Sequence, residues 1–423
     1  MSYIGPEDIL KKRQQYFFPA TSSFYKEPPQ ITGGSMQYLF DHNNKRYTDF
    51  YAGVSVLNCG HSNPEILRDT IEQLSKIQHT TTLYLTQPIV ELAERLAKLL
   101  PGNIRRTFFC VTGSEANEGA MALARLYTKK NGYIALRGGL HGRTHLTLSV
   151  TGIPMWRLDD SLIKENIFFI DRPYSEEGSY EEAMDNSLRQ LEEVLKNHGQ
   201  DICAMIMEPI QGNGGIIMYT HDYVKKVKAL LGEYNILLIT DEVQTGYGRT
   251  GKMFAIEHYD VVPDIIVTAK ALGNGIPIST FSTTDEIAAA YNRPSASTFG
   301  GNPVAAQTAL SVLDYIEKNN LAGRAKELGD YLKHRLQQLS SPYIREIRGC
   351  GLMLGMQLRA RDQSNTSAEI TDIILEEMKE RGFLIGKNGL NRDVLAFQPP
   401  LVITKEDIDV MVENLKQALD KLL

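Results

Sequence analysis

Residues 236–275 read ILLITDEVQTGYGRTGKMFAIEHYDVVPDIIVTAKALGNG, and they contain two short apolar runs. The runs Ile236–Thr240 and Ile265–Thr268 have the length and composition of buried strands. Asp241 follows the first run directly, and Lys270 follows the second after a single alanine. Because the carboxyl ends of parallel strands meet at one edge of a sheet, we expect this acid and this amine to lie on the same side of the protein.

The same pattern extends along the chain in both directions. Apolar runs of strand length alternate with longer segments that have helical periodicity. Such alternation predicts an α/β fold with a mostly parallel central sheet and helices on both of its faces. The other predicted strands are Arg106–Val111, Tyr133–Leu136 and Cys203–Met207, and the predicted helices between strands are Glu115–Lys130, Tyr180–His198 and Asp222–Tyr234.

The two ends of the chain have a different pattern. The opening residues look irregular, and then Gln37–Phe40 and Arg46–Phe50 flank a polar turn, which predicts a hairpin. The last hundred or so residues alternate short strands and helices, the pattern of a smaller α+β unit. We therefore predict a large domain over residues 60–315 and a small α+β domain over residues 316–423, which the N-terminal segment 1–59 joins.

The composition narrows the function classes. Of the 423 residues, 42% are apolar and 23% are charged, which is typical of globular proteins and not of disordered or fibrous ones. The formal net charge of −6 disfavours a nucleic-acid binder, which usually has a basic face. The four cysteines have no paired spacing, so neither a disulfide scaffold nor a metal site is expected. With no secretory signal and no apolar run near the roughly 18 residues of a membrane span, we expect a cytoplasmic protein without a membrane partner.

A candidate anion site lies where the run Arg106–Val111 leads through Gly113 and Ser114 into a helix. A helix start offers free backbone N–H groups and the positive end of the helix dipole, and both favour phosphate. Simple N-capping by Thr112 or Ser114 is the alternative interpretation. His141, which follows another strand end, is either a ligand contact or a structural residue.

One glycine-rich segment is similar to a nucleotide-binding loop. Gly246–Lys252 matches the first part of the phosphate-binding loop of nucleoside triphosphatases. The next residue is Met253, so the hydroxyl that such loops place on magnesium is missing. No G-x-G-x-x-G motif follows the first strand either, and both nucleotide-binding classes are therefore disfavoured.

Three of these features together fit one cofactor, pyridoxal 5′-phosphate. A desolvated lysine at Lys270 suits Schiff-base chemistry, and Asp241 suits the task of keeping a pyridine nitrogen protonated. The helix start at Ser114 suits the phosphate group. Taken singly, each feature has a plainer explanation, such as a lysine at a sheet edge or a salt-bridged aspartate.

Several ordered segments carry a more specific resemblance. The segments FFCVTGSEANEGAMALAR, ITDEVQTGYGRTG, PDIIVTAKALGNGIPIS and STFGGNPVAA resemble those of the class III (omega-type) pyridoxal-phosphate aminotransferases of fold type I. The resemblance runs from about Asp49 to the end of the chain. Within the family, the opening looks most like the alanine–glyoxylate aminotransferase 2 branch. The resemblance implies a homodimer, possibly a tetramer, whose active site lies at the subunit interface.

The resemblance also implies a role for each residue at a matching position. Lys270 would carry the cofactor as an internal aldimine and then move the proton, while Asp241 would pair with the ring nitrogen. The other implied contacts are Gln244 at the phenolic oxygen, Val243 and Leu140 on the ring faces, His141 and Glu208 near the ring, Gly113 and Ser114 at the phosphate, and Thr298 at the phosphate of the neighbouring subunit's cofactor.

Three positions depart from the family pattern. Leu140 stands where an aromatic residue usually stacks on the ring, and Ala396 stands where an arginine commonly binds a substrate carboxylate. Asn213 stands where several members have the glutamate that masks that arginine. The loss of the arginine removes a bidentate carboxylate clamp. Either one half-reaction uses a substrate without an α-carboxylate, or another cation replaces the clamp.

The candidate replacement cations are Arg143, Lys387 and Arg392, and the substrate walls are expected from Tyr51, Val54, Tyr84 and Trp156. We predict an aminotransferase that moves an amino group from an amino acid or amine donor to a keto-acid or aldehyde acceptor by a ping-pong mechanism. An amino-acid racemase or epimerase on the same fold is the first alternative, because it would keep every cofactor residue. A cofactor-binding regulatory or structural protein is the second.

Overall fold

The computed structural model describes residues 4–21, 23–163, 166–361 and 364–422. The strands are β1 (Ile31–Ser35), β2 (Tyr38–Asp41), β3 (Arg46–Asp49), β4 (Arg106–Cys110), β5 (Gly132–Leu136), β6 (Ile167–Ile170), β7 (Ile202–Met207), β8 (Ile210–Gln211), β9 (Ile217–Met218), β10 (Leu237–Asp241), β11 (Ile265–Thr268), β12 (Ser279–Thr283), β13 (Ile344–Cys350), β14 (Met353–Leu358), β15 (Phe383–Leu384), β16 (Gly386–Asn388) and β17 (Val394–Phe397). The helical segments are α1 (Pro6–Tyr16), α2 (Ala52–Ser55), α3 (Pro64–Lys76), α4 (Gln87–Leu99), α5 (Gly113–Thr128), α6 (His145–Ser149), α7 (Tyr180–His198), α8 (His221–Glu233), α9 (Asp285–Ala288), α10 (Pro303–Lys318), α11 (Leu321–Gln337), α12 (Ser367–Glu380) and α13 (Lys405–Asp420).

The central sheet has the strand order β4-β12-β11-β10-β7-β5-β6, and its pairs are parallel except for those that β12 forms. Alternate residues of its inner strands belong to two separate apolar cores, one on each face. Ile206 and Ile239 pack on the face that α5 covers, whereas Met205 and Leu238 pack on the face that α8 covers. The predicted α/β fold with helices on both faces is confirmed.

Strand β12 is a part of the sheet that the sequence pattern did not reveal. It reads STFST and runs antiparallel to both β11 and β4. Its hydroxyls are paired inside the sheet, as in the contacts of Ser279 Oγ with the Thr112 carbonyl and of Thr280 Oγ1 with Thr268 Oγ1, both at 2.8 Å. Because the strand buries paired hydroxyls instead of apolar side chains, it lacks the hydrophobic signature of a buried strand.

The N-terminal region contains more regular structure than we expected from its sequence. The prediction that the opening residues are irregular is wrong, because they form α1 and β1. Helix α1 has no buried residue, so it has no apolar stripe by which its sequence could be recognised. The hairpin prediction is confirmed by β2 and β3, and β3 pairs in parallel with β15 from the C-terminal region. The domain boundaries remain a prediction.

The C-terminal region has its own antiparallel sheet, with the order β13-β14-β17-β16. Helices α12 and α13 pack on each other beside it. Within the described residues, no helix combines the length and the apolar character needed to cross a membrane.

Candidate active site

Asp241 lies at the carboxyl end of β10 and is almost fully buried. Its Oδ2 atom accepts hydrogen bonds from Asn117 Nδ2 at 2.8 Å and from His141 Nδ1 at 2.9 Å. Its Oδ1 atom accepts the backbone N–H of Val243 at 3.1 Å. A buried carboxylate with three donors is fixed in position, and its negative charge faces the other residues at this edge of the sheet.

Lys270 begins the 3₁₀ turn Lys270–Leu272 just beyond the end of β11, and its backbone φ of 43° is left-handed. Burial lowers the pKa of its amine, although the carboxylates of Asp241 and Glu208 oppose that effect. Among the described residues, no side chain forms a hydrogen bond or an ion pair with its Nζ atom. The lysine is therefore an unpaired amine with a raised neutral fraction, which is the state that a nucleophilic amine needs.

Glu208 follows β7 and holds two backbone segments of the site. Its Oε1 atom accepts the N–H of Leu140 and its Oε2 atom accepts the N–H of Gly212, both at 2.8 Å. Burial raises the pKa of this carboxyl to about 7, and nearby Asp241 acts in the same direction. Leu140 is thus anchored through its backbone, a constraint that does not depend on the aromatic side chain expected at this position.

Gln244 lies in the turn after Asp241, and its carboxamide is buried without a partner at either Oε1 or Nε2. The missing side chain of Gly212 makes room for it, because a Cβ atom there would lie 1.3 Å from Gln244 Oε1. Val243 lies close to Gly113, where an added Cβ atom would come within 3.1 Å of the valine side chain. An unpaired buried amide costs stability, and such a group in a native protein calls for a partner that the chain itself does not supply.

The start of α5 lies where the sequence predicts an anion site. Thr112 caps the helix, and its Oγ1 atom accepts the N–H of Glu115 at 3.2 Å. Ser114 Oγ accepts the N–H of Arg143 at 3.0 Å, which fixes the loop after His141 against the helix start. A Cβ atom at Gly142 would lie 2.6 Å from Ser114 Oγ, so this close approach requires glycine. Capping by Thr112 leaves other N–H groups of the helix start available to an anion, because the cap satisfies only part of the helix start.

The predicted substrate residues separate into two groups. Ala396 is buried in an apolar cluster with Ile210 and Ile216, against which Tyr51 packs. The Tyr51 hydroxyl lies 3.4 Å from Asn388 Oδ1, and Asn388 Nδ2 in turn donates to the Gly212 carbonyl at 3.1 Å. Tyr51, Ala396, Asn388 and Gly212 therefore form one wall of the site, which lies beside Gln244.

The other predicted residues differ in their surroundings. The carbonyl of Asn213 accepts the N–H of Gly389 at 3.0 Å, so Asn213 belongs to the same wall. Val54 lies three residues after Tyr51 in the chain. Tyr84 is 69% exposed, and its side chain forms no hydrogen bond with the described residues. Trp156 and Thr298 are also exposed on the surface. The chain by itself does not bring Tyr84 or Thr298 to Lys270.

The three candidate cations differ in their partners. Lys387 donates to Asp372 Oδ1 at 2.5 Å, so it is already paired, and Arg143 is exposed. Arg392 is half-buried, and its guanidinium lies 5.1 Å from the centre of the Phe24 ring. The Phe24 ring lies 6.0 Å from the Tyr51 ring. Among the described residues, no carboxylate forms an ion pair with Arg392.

Sequence reasoning missed two residues of the site. Asn117 bridges the His141 carbonyl and Asp241, and Asn388 bridges Tyr51 and Gly212. Asn117 had a signal, since it lies on the buried side of α5 four residues after Gly113. Asn388 had none, because only the tertiary fold brings β16 against the loop after β7.

Comparisons with known proteins agree with this geometry. Residues 26–419 match the family model described as aminotransferase class-III. The chain is 38% identical to the alanine–glyoxylate aminotransferase 2 homolog 2 of Arabidopsis thaliana, over 99% of this chain and 89% of that protein.

Solved structures also resemble the chain. An (S)-enantioselective omega-transaminase from Thermomicrobium roseum superposes with a TM-score of 0.91 at 31% identity and covers 100% of both chains. An amine transaminase from an uncultivated Pseudomonas species, solved in its PLP-bound internal aldimine form, superposes with a TM-score of 0.89 at 28% identity, over 96% of this chain and 98% of that one.

Proposed function

The chain belongs to the class-III aminotransferases, and from this premise we propose that it uses pyridoxal 5′-phosphate at the Lys270 site to move an amino group between two small molecules in a ping-pong cycle. The observation that carries the proposal is the pair formed by an unpaired, desolvated Lys270 and a buried, fully hydrogen-bonded Asp241. The class implies this cofactor, and the residues present can be tested for their fit to it.

The donor set fits pyridoxal phosphate at each of its polar groups. The buried carboxylate of Asp241 suits a protonated pyridine nitrogen, and the unpaired carboxamide of Gln244 can donate to a phenolic oxygen. The start of α5 at Gly113 and Ser114 suits a phosphate dianion. Lys270 is the amine that can bond to the aldehyde carbon.

When bound, the cofactor supplies an electron sink that stabilises the negative charge left on the substrate carbon after its proton departs. The residues of this chain do the rest. Lys270, whose pKa is lowered by burial, could take a proton from that carbon and return it to the C4′ carbon of the cofactor. His141 and Asn117 hold the Asp241 carboxylate still, so that its charge remains opposite the ring nitrogen. Leu140 and Val243 exclude water from this region.

For the substrate, we propose that Arg392 takes over the carboxylate contact that Ala396 cannot make. The half-buried guanidinium has four N–H groups beyond the one that it donates to the Lys387 carbonyl at 2.9 Å. It lies beside Phe24, which packs on Tyr51 of the substrate wall. Alanine and glyoxylate, which the name of the Arabidopsis relative contains, both carry carboxylates. An α-amino acid donor and a keto-acid acceptor are therefore the proposed substrates.

We also propose that the working unit is a homodimer. The segment Leu83–Leu85 exposes three large apolar side chains, and the Leu85 side chain is fully exposed. Phe299, next to Thr298, is 59% exposed as well. Contiguous exposed apolar surface of this kind is typical of protein interfaces. A second copy would cover it and could bring its Thr298 to the phosphate site of this chain.

The test is an absorbance titration of the purified protein reconstituted with pyridoxal phosphate. Each member of a panel of amines, with and without α-carboxylates, is added to the loaded protein. A Schiff-base band that converts to the pyridoxamine form supports the transaminase, and the compounds that convert it identify the donor class. Lys270→Ala should abolish the band. Lys252→Ala, an exposed lysine in the glycine-rich segment after β10, should retain it.

Two outcomes would contradict the proposal. If the unsubstituted protein formed no band, Lys270 would not be the cofactor lysine. If amino acids shifted the band without converting it, and solvent deuterium entered the amino acid with no loss of amino groups, a racemase would fit the data better.

A further inference from the structure

The short segment α2, between β3 and α3, is a turn of left-handed backbone and not a right-handed helix. The φ angles are 48° at Ala52, 61° at Gly53, 70° at Val54 and 58° at Ser55. Three of these four residues have side chains that disfavour this region, and a β-branched residue such as Val54 disfavours it most. A backbone of this kind persists only where its surroundings hold it in place.

The holding contacts come from Asp49 at the end of β3. Its Oδ1 atom accepts the N–H of Tyr51 at 2.8 Å and the N–H of Ala52 at 2.9 Å, the two donors at the entrance of the turn. Its Oδ2 atom lies 2.7 Å from His61 Nε2. Because a carboxylate only accepts, His61 donates through Nε2. Asp49 precedes the turn and His61 follows it, and the hydrogen bond between them joins the two ends. We call this pair the clamp.

The clamp is itself held rigidly. The N–H and carbonyl of His61 pair with the carbonyl and N–H of Met36, both at 2.7 Å. A Cβ atom at Gly34 in β1 would lie 2.9 Å from the His61 Cβ atom, so glycine at this position leaves the space that the imidazole ring occupies. The buried guanidinium of Arg249 donates to Asn58 Oδ1 at 2.5 Å, and the negative charge of Asp49 partly offsets the effect of burial, which lowers the pKa of this arginine.

The turn connects the two sides of the active site. On its N-terminal side, Tyr51 belongs to the wall of Asn388 and Gly212. On its C-terminal side, Asn274 accepts the N–H of Cys59 at 2.9 Å and donates to the Gly60 carbonyl at 3.0 Å. Asn274 belongs to the loop that begins with Lys270. A shift of the turn would therefore move the substrate wall relative to the lysine.

We propose that Asp49 and His61 are positioning residues for transamination: they hold Ala52–Ser55 in the left-handed turn, so that Tyr51 and Val54 present a wall of fixed shape to the substrate. The consequence is selectivity among donors of different size. This inference rests on the proposed function, but it concerns residues that do not touch the cofactor. Loss of the contact between Asp49 and His61 should therefore change substrate discrimination while the cofactor band remains normal.

The test compares His61→Ala with His61→Gln, whose carboxamide N–H can still donate to Asp49. Steady-state kinetics are measured with the smallest and the largest amine of the panel that convert the cofactor band. His61→Ala should raise KM and reduce the discrimination between the two amines by up to about 10²-fold, while the Lys270 absorbance band stays normal. His61→Gln should behave like the unsubstituted protein. The control is His334→Ala, an exposed histidine on α11.

A rescue experiment separates positioning from mere stability. Ala52→Gly places a residue that accepts positive φ at the start of the turn, so it should restore discrimination in the His61→Ala background. Unchanged discrimination in His61→Ala, or failure of Ala52→Gly to restore it, would overturn the inference. If His61→Ala does not fold, Asp49→Asn decides the matter, because it removes the acceptor for His61 while its Oδ1 atom still receives the backbone donors. A loss of discrimination is expected there too, and normal discrimination would overturn the inference. Absence of the band in the unsubstituted protein would instead refute the proposed function.

Discussion

His141 Nδ1 lies 2.9 Å from Asp241 Oδ2, and the imidazole Nε2 atom is buried without a partner. The structure therefore indicates one role for His141, which is to orient the Asp241 carboxylate. Asn117 donates to the same oxygen from α5, so two elements on opposite sides of Asp241 fix it. Two donors on one carboxylate oxygen hold it in a fixed position, where it could pair with the protonated ring nitrogen of the proposed cofactor.

Removal of that charge should abolish most of the activity. Asp241→Asn keeps the shape and the acceptor oxygen but loses the negative charge, so the electron sink is weakened. We expect kcat to fall on the order of 10²-fold or more, with the protein still folded and still able to bind the cofactor. The measurement is the rate of the half-reaction with one donor, followed by absorbance. Asp260→Asn, at an exposed carboxylate on the surface, is the control, and equal rates for the two variants would show that the charge of Asp241 has no catalytic role.

Gly212 offers a way to displace Gln244 without touching it. A Cβ atom at this position would lie 1.3 Å from Gln244 Oε1, and since that atom ends a flexible side chain, the carboxamide should move and the fold should survive. We expect Gly212→Ala to shift the absorbance maximum of the bound cofactor and to weaken its binding roughly tenfold, through loss of about one hydrogen bond.

The matched control for Gly212→Ala lies on the surface. Gly232 is in α8, and a Cβ atom there meets nothing within 4 Å. Gly232→Ala should leave the spectrum unchanged and stabilise the protein by about 1 kcal/mol, because alanine is the better helix former. Cofactor titrations of both variants would decide, and identical spectra would contradict the placement of Gln244 at the cofactor.

The buried carboxyl of Glu242 should make stability depend on pH. It accepts the N–H groups of Ala255 at 3.0 Å and Ile256 at 2.7 Å, and burial raises its pKa from 4.5 to about 7. Between these two values the folded protein keeps a proton that the unfolded chain releases, so the contribution of this group is full below pH 4.5 and is lost as the pH rises to about 7. The loss is on the order of a few kcal/mol.

Urea unfolding at several pH values from 5 to 8 would measure this effect. The variant Glu242→Gln cannot titrate, so its free energy of unfolding should fall less steeply than that of the parent protein over this range. Glu193→Gln, at an exposed position of α7, should keep the parent slope. Equal slopes for all three proteins would mean that Glu242 titrates near its usual pKa.

Much of the fold, and the clustering of several candidate site residues, could be predicted from the sequence because the relevant signals are local. Asp241 and Lys270 each end an apolar strand, and the helix start at Ser114 follows another. The structure brings these strands together in one sheet, as the alternation of elements predicted. Local patterns sufficed for the apolar strands β5, β7, β10 and β11, whereas β6, which is also apolar, was not predicted.

The remainder depends on contacts between distant parts of the chain. The paired hydroxyls of β12 conceal its strand pattern, and α1 lacks a recognisable apolar stripe because none of its residues is buried. The partners of Lys387 and Arg392 could not be inferred from their neighbours in the sequence. Asp372 reaches Lys387, and Phe24 reaches Arg392, only in the folded protein. Tyr84 and Thr298 are surface residues of the single chain, and the role predicted for Thr298 depends on a second copy.

The exposed segment Leu83–Leu85 provides a test of that second copy. Leu85 is 100% exposed, so Leu85→Asp costs the isolated chain little, but in an interface it would bury a charge. We expect this variant to sediment as a monomer and to lose cofactor affinity, because Thr298 of the neighbour would no longer reach the phosphate site. The control is Val410→Asp on α13, whose side chain is 55% exposed. A parent protein that is itself monomeric, or a Leu85→Asp variant that remains a dimer, would contradict the proposed interface.

Arg392 should determine whether the enzyme selects carboxylated donors. The nearby cation Lys387 forms an ion pair with Asp372. Arg392 donates to a backbone carbonyl, lies beside an aromatic ring and feels the charge of Asp372 at longer range, but it forms no ion pair within the described part of the chain. A charge-assisted hydrogen bond contributes roughly 1.5–3 kcal/mol, so Arg392→Gln should raise KM for an α-amino acid by about 10- to 100-fold. The same variant should leave KM unchanged for an amine that lacks the carboxylate, and Arg189→Gln on the exposed face of α7 should change neither value. If Arg392→Gln raised both KM values equally, the arginine would serve the fold instead of the substrate. If it raised neither KM value, the enzyme would bind its donor without a carboxylate clamp. That result would favour the other explanation of Ala396, which is a substrate without an α-carboxylate.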